Sequence, residues 1–227
     1  MNIFSKRLAA RVAVYILGLL VLAFGVVFSI NSDLGISPVN SIPFATSVVF
    51  EIRMGIIATT FFILCVVMQI IVLRKDFKVI NLTQIFYSFI FGYFVDFARF
   101  VKADFAFPTY LGQLLMMVIS IVLIATGLSL YLETKLVPMP SEGLVLAFVQ
   151  KFPNLTFARA KVMLDSTLVV IAIVLTLVAL GSVQGVREGT VLSAIFIGKL
   201  VPHTRKFVVL ALDKVGFYPP PEPAPES

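Results

Sequence analysis

The sequence is short of charge: 13% of its 227 residues are Asp, Glu, Lys or Arg, 59% are apolar, and the mean hydropathy is +1.05. A soluble domain carries about 25% charged residues, so this chain lacks the polar surface needed to face water. That excludes a soluble enzyme, a nucleic-acid-binding module and a disordered chain. Tryptophan is absent, which leaves six tyrosines and the basic residues to mark any membrane interface. The single cysteine, Cys65, allows no intramolecular disulfide and no cysteine metal cluster. The one histidine, His203, lies beside Thr204, Arg205 and Lys206 and reads as an interfacial residue, so no metal site is expected. Catalytic signatures are missing as well: there is no HExxH, no G-x-S-x-G, no paired glycine-rich phosphate loop and no Walker lysine. Neither enzyme activity nor a cofactor is expected, and ATP-driven work would need a partner chain.

What the sequence does have is long apolar runs. A crossing helix needs about 20 mainly apolar residues to span about 30 Å of hydrocarbon. Residues 12–31, 54–73, 83–101, 111–132, 161–181 and 189–206 qualify, so the expected fold is all-α, a polytopic transmembrane bundle. Lys6, Arg7 and Arg11 precede the first run as in a signal peptide. The run is too long for one, however, and no small-residue cleavage site follows, so it reads as a retained helix.

Residues 37–50 and 140–152 are apolar but short, roughly 20 Å as helices at about 1.5 Å per residue. They read as two proline-started half-helices beside six spans; the alternative is eight spans. Charge barely separates these models. With a cytoplasmic N-terminus, six spans leave Arg53, Arg99, Lys102 and Arg187 outside and the other fourteen basic residues inside; eight give thirteen inside and five outside. Both obey the positive-inside rule and put both termini in the cytoplasm. The net charge of +6 is thus a topology signal and not a nucleic-acid signature. The chain divides into a cytoplasmic N-terminus (1–11), a first membrane repeat (12–103), a second (104–206) and a cytoplasmic proline-rich tail (207–227) with five prolines from Pro219 onward.

The repeat is visible as self-similarity. At an offset of 102, Gly25 meets Gly127, Leu34 meets Leu136, Pro38 meets Pro140, Ala45 meets Ala147 and Phe50 meets Phe152; at 106, Gly92 meets Gly198. Each unit is a long helix, a short proline-started helix and two more long helices. Three full spans per unit make the second copy inverted, and interrupted helices in inverted repeats are a transporter architecture. Eight spans would make the repeats parallel.

At the same loops the sequence resembles the YczE/YyaS/YitT-type family of bacterial integral membrane proteins. LGISPVNSI (34–42) is similar to that family's LG-x-SPW-D-x-L loop and LVPMPSEGL (136–144) to its LG-x-GP-x-D-x-L loop. FGYFVDF (91–97) resembles its G-x-x-ID segment, and REGTVLSAIFIGKLVPH (187–203) its GT…A…IGP…PH ending. The likeness spans roughly residues 12–206. Here Val39, Asn40 and Val137 replace the family's tryptophan, first acid and second glycine. The resemblance implies a multi-pass protein of the bacterial cytoplasmic membrane and no particular substrate.

Candidate binding residues follow from the two loops. Ser37 can cap a helix with Pro38 at its first position and Asn40 at its third; Pro140 likewise places Glu142 at the third. Plain helix-start chemistry would explain these residues. If instead both starts reach the membrane centre, Ser37, Asn40, Ser41, Ser141 and Glu142 line one cavity, with Glu142 binding a proton, a cation or an amine. Asp96 and Arg99, and Lys161 and Asp165, are spaced for same-face ion pairs. Asp96 and Asp165 join the candidate site, while Arg99 and Lys161 are expected to reach for the interface. Gln69, Gln84 and Gln113 are expected to make interhelical hydrogen bonds.

The functional expectation is a transporter or permease for a small polar or amphiphilic solute, with its site between the repeats near the midplane. The alternative is a substrate-binding or accessory subunit of a larger membrane complex. An intramembrane lipid enzyme using Asp96, Glu142 or Asp165 ranks last. Expected partners are the lipid bilayer, an unidentified small solute, and a second copy or a partner membrane subunit; nucleic acid is not one.

Overall fold

Long apolar segments have no water to satisfy their backbone amides, so they fold as helices. A computed structural model describes residues 3–102 and 105–218, and within them it is all-helical. Eight α-helices follow in order: α1 (Ile3–Asn31), α2 (Pro38–Phe50), α3 (Met54–Leu73), α4 (Thr83–Lys102), α5 (Tyr110–Glu133), α6 (Pro140–Lys151), α7 (Phe157–Leu180) and α8 (Glu188–Lys214). Two short 3-10 turns, Arg74–Asp76 and Val79–Leu82, join α3 to α4. Among the described residues, α1, α3, α4, α5 and α7 are long and apolar enough to cross a membrane. The last helix matches them in length but carries Lys199, Arg205, Lys206 and Asp213. It also continues eight residues past the expected boundary at 206. The expected boundary between repeats at 103 and 104, and the proline-rich stretch from Pro219, lie outside the described residues.

The centre of the bundle is the crossing of α1 and α5. It is tight because small residues let the two backbones meet. A Cβ on Gly18 would fall 2.9 Å from the Gly127 carbonyl, and one on Gly127 2.7 Å from the Leu22 amide. Gly25 sits equally close to Ile124, and Ser120 donates to the Gly25 carbonyl at 2.8 Å. Positions rise along α1 as they fall along α5, so these two helices are antiparallel. By the same reasoning α4 runs parallel to α1, with Tyr15 beside Tyr87 and Phe24 beside Phe97. α8 runs parallel to α5, with Gly189 beside Met117 and Ser129 bonded to Thr204 at 2.7 Å.

Two turns, after α1 and after α5, are built alike. Ser32 donates to the Ser29 carbonyl at 2.7 Å and accepts from the Leu34 amide at 3.3 Å. Thr134 donates to the Tyr131 carbonyl at 2.6 Å and accepts from the Leu136 amide at 3.4 Å. Between hydroxyl and leucine, Asp33 (φ 55°) and Lys135 (φ 52°) both take the left-handed conformation that reverses the chain. Each turn then delivers a proline to the first turn of a short helix, where its missing amide leaves no bond unmade.

Candidate binding cavity

The two short helices are held by side chains from distant elements. The start of α6 is fixed by Gln69 on α3, whose amide donates to the Pro140 carbonyl at 3.1 Å and to Gln84 on α4 at 2.9 Å. Both glutamines are buried, which bears out the interhelical role expected of them. The loop before α2 is held by the α7–α8 connection: Ile36 donates to the Gly185 carbonyl at 2.9 Å, and Arg187 to the Asp33 carbonyl at 2.7 Å.

Fixed this way, both helix starts open on one cavity of about 660 Å³. Ser37, Pro38, Val39 and Asn40 border it from α2, and Met139, Ser141 and Glu142 from α6. Phe62, Phe91, Leu22 and Ile124 form an apolar floor, and α7 and α8 form the remaining walls. Its ionisable residues are Glu142, Lys161 and Asp165. Lys161 donates to Asp165 at 2.8 Å and also lies in the field of the Glu142 carboxylate. With both acids ionised and the lysine protonated, the cavity carries one net negative charge.

The structure brings five of the seven candidate residues together here: Ser37, Asn40, Ser141, Glu142 and Asp165. Ser37 occupies the cap position, but its hydroxyl accepts from the Asn40 side chain at 2.9 Å and caps no backbone amide. The Asn40 amide nitrogen is thereby used, while its Oδ1 is buried without a hydrogen-bond partner among the described residues. Ser141 donates to Glu142 at 3.3 Å. Tyr15 and Tyr131 bury their rings beside one another and close to Glu142, with the Tyr131 hydroxyl toward the Glu142 carboxylate.

Ser41 and Asp96 lie elsewhere. Ser41 is one position round the helix from Asn40, 1% exposed, with its hydroxyl on the Ser37 carbonyl at 3.4 Å. Asp96 borders a separate hollow of about 730 Å³ against α3 and α4, together with Arg53 and Gly55. Its carboxylate accepts from the Gly55 amide at 2.8 Å, a terminal amide of α3 that would otherwise lack a partner. Its ion pair among the described residues is with Arg53 at 3.8 Å, so the same-face pairing expected with Arg99 gives way to one between helices. Lys161 pairs with Asp165 as their four-residue spacing predicts, but inside the cavity and not at the interface. Sequence reasoning missed Ser166, Thr190 and Ser193, which border the same space. The one signal for them was that Ser166 follows Asp165 and that Thr190 and Ser193 lie a helical turn apart.

At the far end of α5 a separate cluster ties down α8. Arg205 and Tyr218 both donate to the buried Glu133, the tyrosine at 2.9 Å. Partial burial, then the bond to Glu133, push the Tyr218 hydroxyl up to about 12.

Comparison with known proteins bears on residues 9–206, which match a family model described as a family of unknown function, DUF6198. The chain is also 26% identical over 161 residues to the uncharacterized protein YyaS of Bacillus subtilis (strain 168), covering 70% of this chain and 78% of that one. This agrees with the resemblance carried by the proline loops. No solved structure matches.

Proposed function

The chain belongs to the DUF6198 family of unknown function, and from that premise we propose that it is a membrane transporter or permease for a small polar or amphiphilic solute. The observation that carries this is the shared cavity: two interrupted helices from distant parts of the chain begin on it, with Glu142 at the start of one. Helix starts offer free amides and a positive dipole end, which suits a solute with polar groups.

Six spans with two half-helices remain the preferred topology. Because α4 runs parallel to α1, only one of the two helices between them can cross; α3 is long enough and α2, at 13 residues, is short. The same argument applied to α5 and α8 assigns the crossing to α7 and the half-helix to α6. The two alike turns at an offset of 102, and the reciprocal contacts of Gly25 with Ile124 and of Gly127 with Leu22, support an inverted repeat. Each residue number in the second contact differs by 102 from its counterpart in the first, as a two-fold relation between units requires. The basic residues favour both termini on the cytoplasmic side, and the family resemblance favours the bacterial cytoplasmic membrane.

A thermal-shift screen of the purified protein against metabolite and lipid panels tests the reading. A binder present at about 100 times its Kd stabilises by about 2.7 kcal/mol, and Glu142→Gln is expected to remove that shift. Binders that shift the variant and the parent equally would overturn the site.

A further inference from the structure

The cavity is lined by both polar and apolar side chains, and its side between α7 and α8 lacks a closing wall. α3 packs along α4, whereas α7 and α8 have no comparable joint. Val162 and Val170 on α7, and Val191 and Ile195 on α8, both border the cavity and are exposed on the outside of the bundle. A Cβ on Gly198 would meet nothing within 4 Å. Where these helices cross the bilayer, the opening faces lipid chains.

The polar lining has two unmet needs. Glu142 and Asp165 share a single cation, Lys161, so with both acids ionised one negative charge is left over in a space where uncompensated charge is expensive. Asn40, 5% exposed, borders the cavity with an acceptor oxygen that has no donor among the described residues. An alkylammonium group meets both, because it carries one positive charge and several N–H donors. An ionised carboxylate meets neither. The volume of about 660 Å³ leaves room for an apolar chain beside the headgroup.

Building on the transporter reading, we infer that the ligand is an amphiphile with a single primary ammonium group and one alkyl chain, admitted from the bilayer between α7 and α8. The ammonium sits among Glu142, Asp165 and Asn40, and the chain lies along Phe62, Phe91 and Gly198. Lys161 sets the charge specificity by cancelling one carboxylate, so that the site takes a monocation and not a dication.

Radiolabelled decylammonium binding to the purified full-length protein in detergent tests this, with competition by related compounds. Saturable binding is expected, displaced at least tenfold more weakly by decyltrimethylammonium, which has no N–H donor, and not displaced by decanoate. Methylammonium, which has the charge without the chain, should need at least a hundredfold higher concentration. Glu142→Gln should weaken binding at least tenfold. Gly198→Leu, which fills the chain end in an open part of the helix, should weaken decylammonium and leave methylammonium unchanged. Equal displacement by decanoate, or equal affinity for methylammonium, would overturn the amphiphile assignment while a Glu142 dependence upheld the cavity as a polar-solute site. If neither variant, folded by its thermal transition, altered any probe, both readings would fall.

Discussion

The helix pairs that follow the two short helices, α3 with α4 and α7 with α8, use their polar residues in opposite ways. α4 lies against α3 backbone to backbone, since a side chain on either Gly55 or Gly92 would collide with the other helix. The hydroxyl of Thr59 donates to the carbonyls of Gly55 and, across the joint, Ser88, while Asp96 takes an α3 amide and Gln69 pairs with Gln84. Every one of these groups is spent on closing the joint. In the other half, α7 packs on α2, and α8 is held by α5 through Thr204 and Arg205. Lys161, Asp165 and Ser166 of α7 and Thr190 and Ser193 of α8 instead border the cavity.

The sharpest way to break that contrast is one substitution made at both matched glycines. Gly92→Leu drives a side chain into Thr59 and the Gly55 carbonyl, where backbone has to move. A loss of about 3 kcal/mol or more is expected, enough to deplete folded protein. Gly198→Leu meets open space and removes a helix-interior glycine, so its stability should stay within about 1 kcal/mol of the parent. Thermal unfolding of the two variants in one detergent makes the comparison. Equal losses would mean that the second pair is closed after all.

The glycines were legible in the sequence as a match at an offset of 106, and the proline loops as a match at 102. The opposite fates of Gly92 and Gly198 were not legible, because they depend on how far apart two helices settle. Lys161 shows the same limit. Its pairing with Asp165 was legible from their spacing, but the pair's place inside the cavity was not. Asp96 was recognised as a carboxylate needing a partner, but the partner came from α3, 41 residues away in the chain, and not from its own helix. By contrast, Glu142, Ser37 and Asn40 could be placed because a proline in the first turn fixes which residues stand at a helix start, whatever the tertiary packing.

A second test compares a polar link between helices with one inside a helix. Gln69→Leu takes both partners from the Gln84 side chain and the donor from the Pro140 carbonyl, all in the buried joint. The expected loss is about 2 kcal/mol, since buried polar groups left unpaired cost about 1–3 kcal/mol. The double change Gln69→Leu with Gln84→Leu should recover part of it, because the second amide is then no longer orphaned. Ser193→Ala on α8 removes a bond to the carbonyl of Thr190 in the same helix, at 3.0 Å, and should cost less than about 1 kcal/mol. Chemical unfolding in detergent gives both values. A double variant less stable than Gln69→Leu alone would sink the amide pair as the closing link.

The smallest expected difference lies between the two acid–base pairs, and it asks what each basic residue is for. Arg53 is 74% exposed, and Asp96 has the Gly55 amide as its closer partner at 2.8 Å. Arg53→Met should therefore change stability by less than about 0.5 kcal/mol, as for most surface pairs. Lys161 and Asp165 are 27% and 20% exposed, and among the described residues the lysine is the cation that both cavity carboxylates share. Lys161→Met leaves two acids without compensation in a half-enclosed space. Breaking a fully buried pair costs about 3–5 kcal/mol, and the solvent reaching this one should reduce the loss to about 1 kcal/mol. Lowering the pH during unfolding should restore Lys161→Met toward the parent and leave Arg53→Met unaffected, because protonating a carboxylate relieves repulsion only where two acids face each other. A Lys161→Met variant as insensitive to pH as Arg53→Met would mean that Glu142 and Asp165 do not share a site.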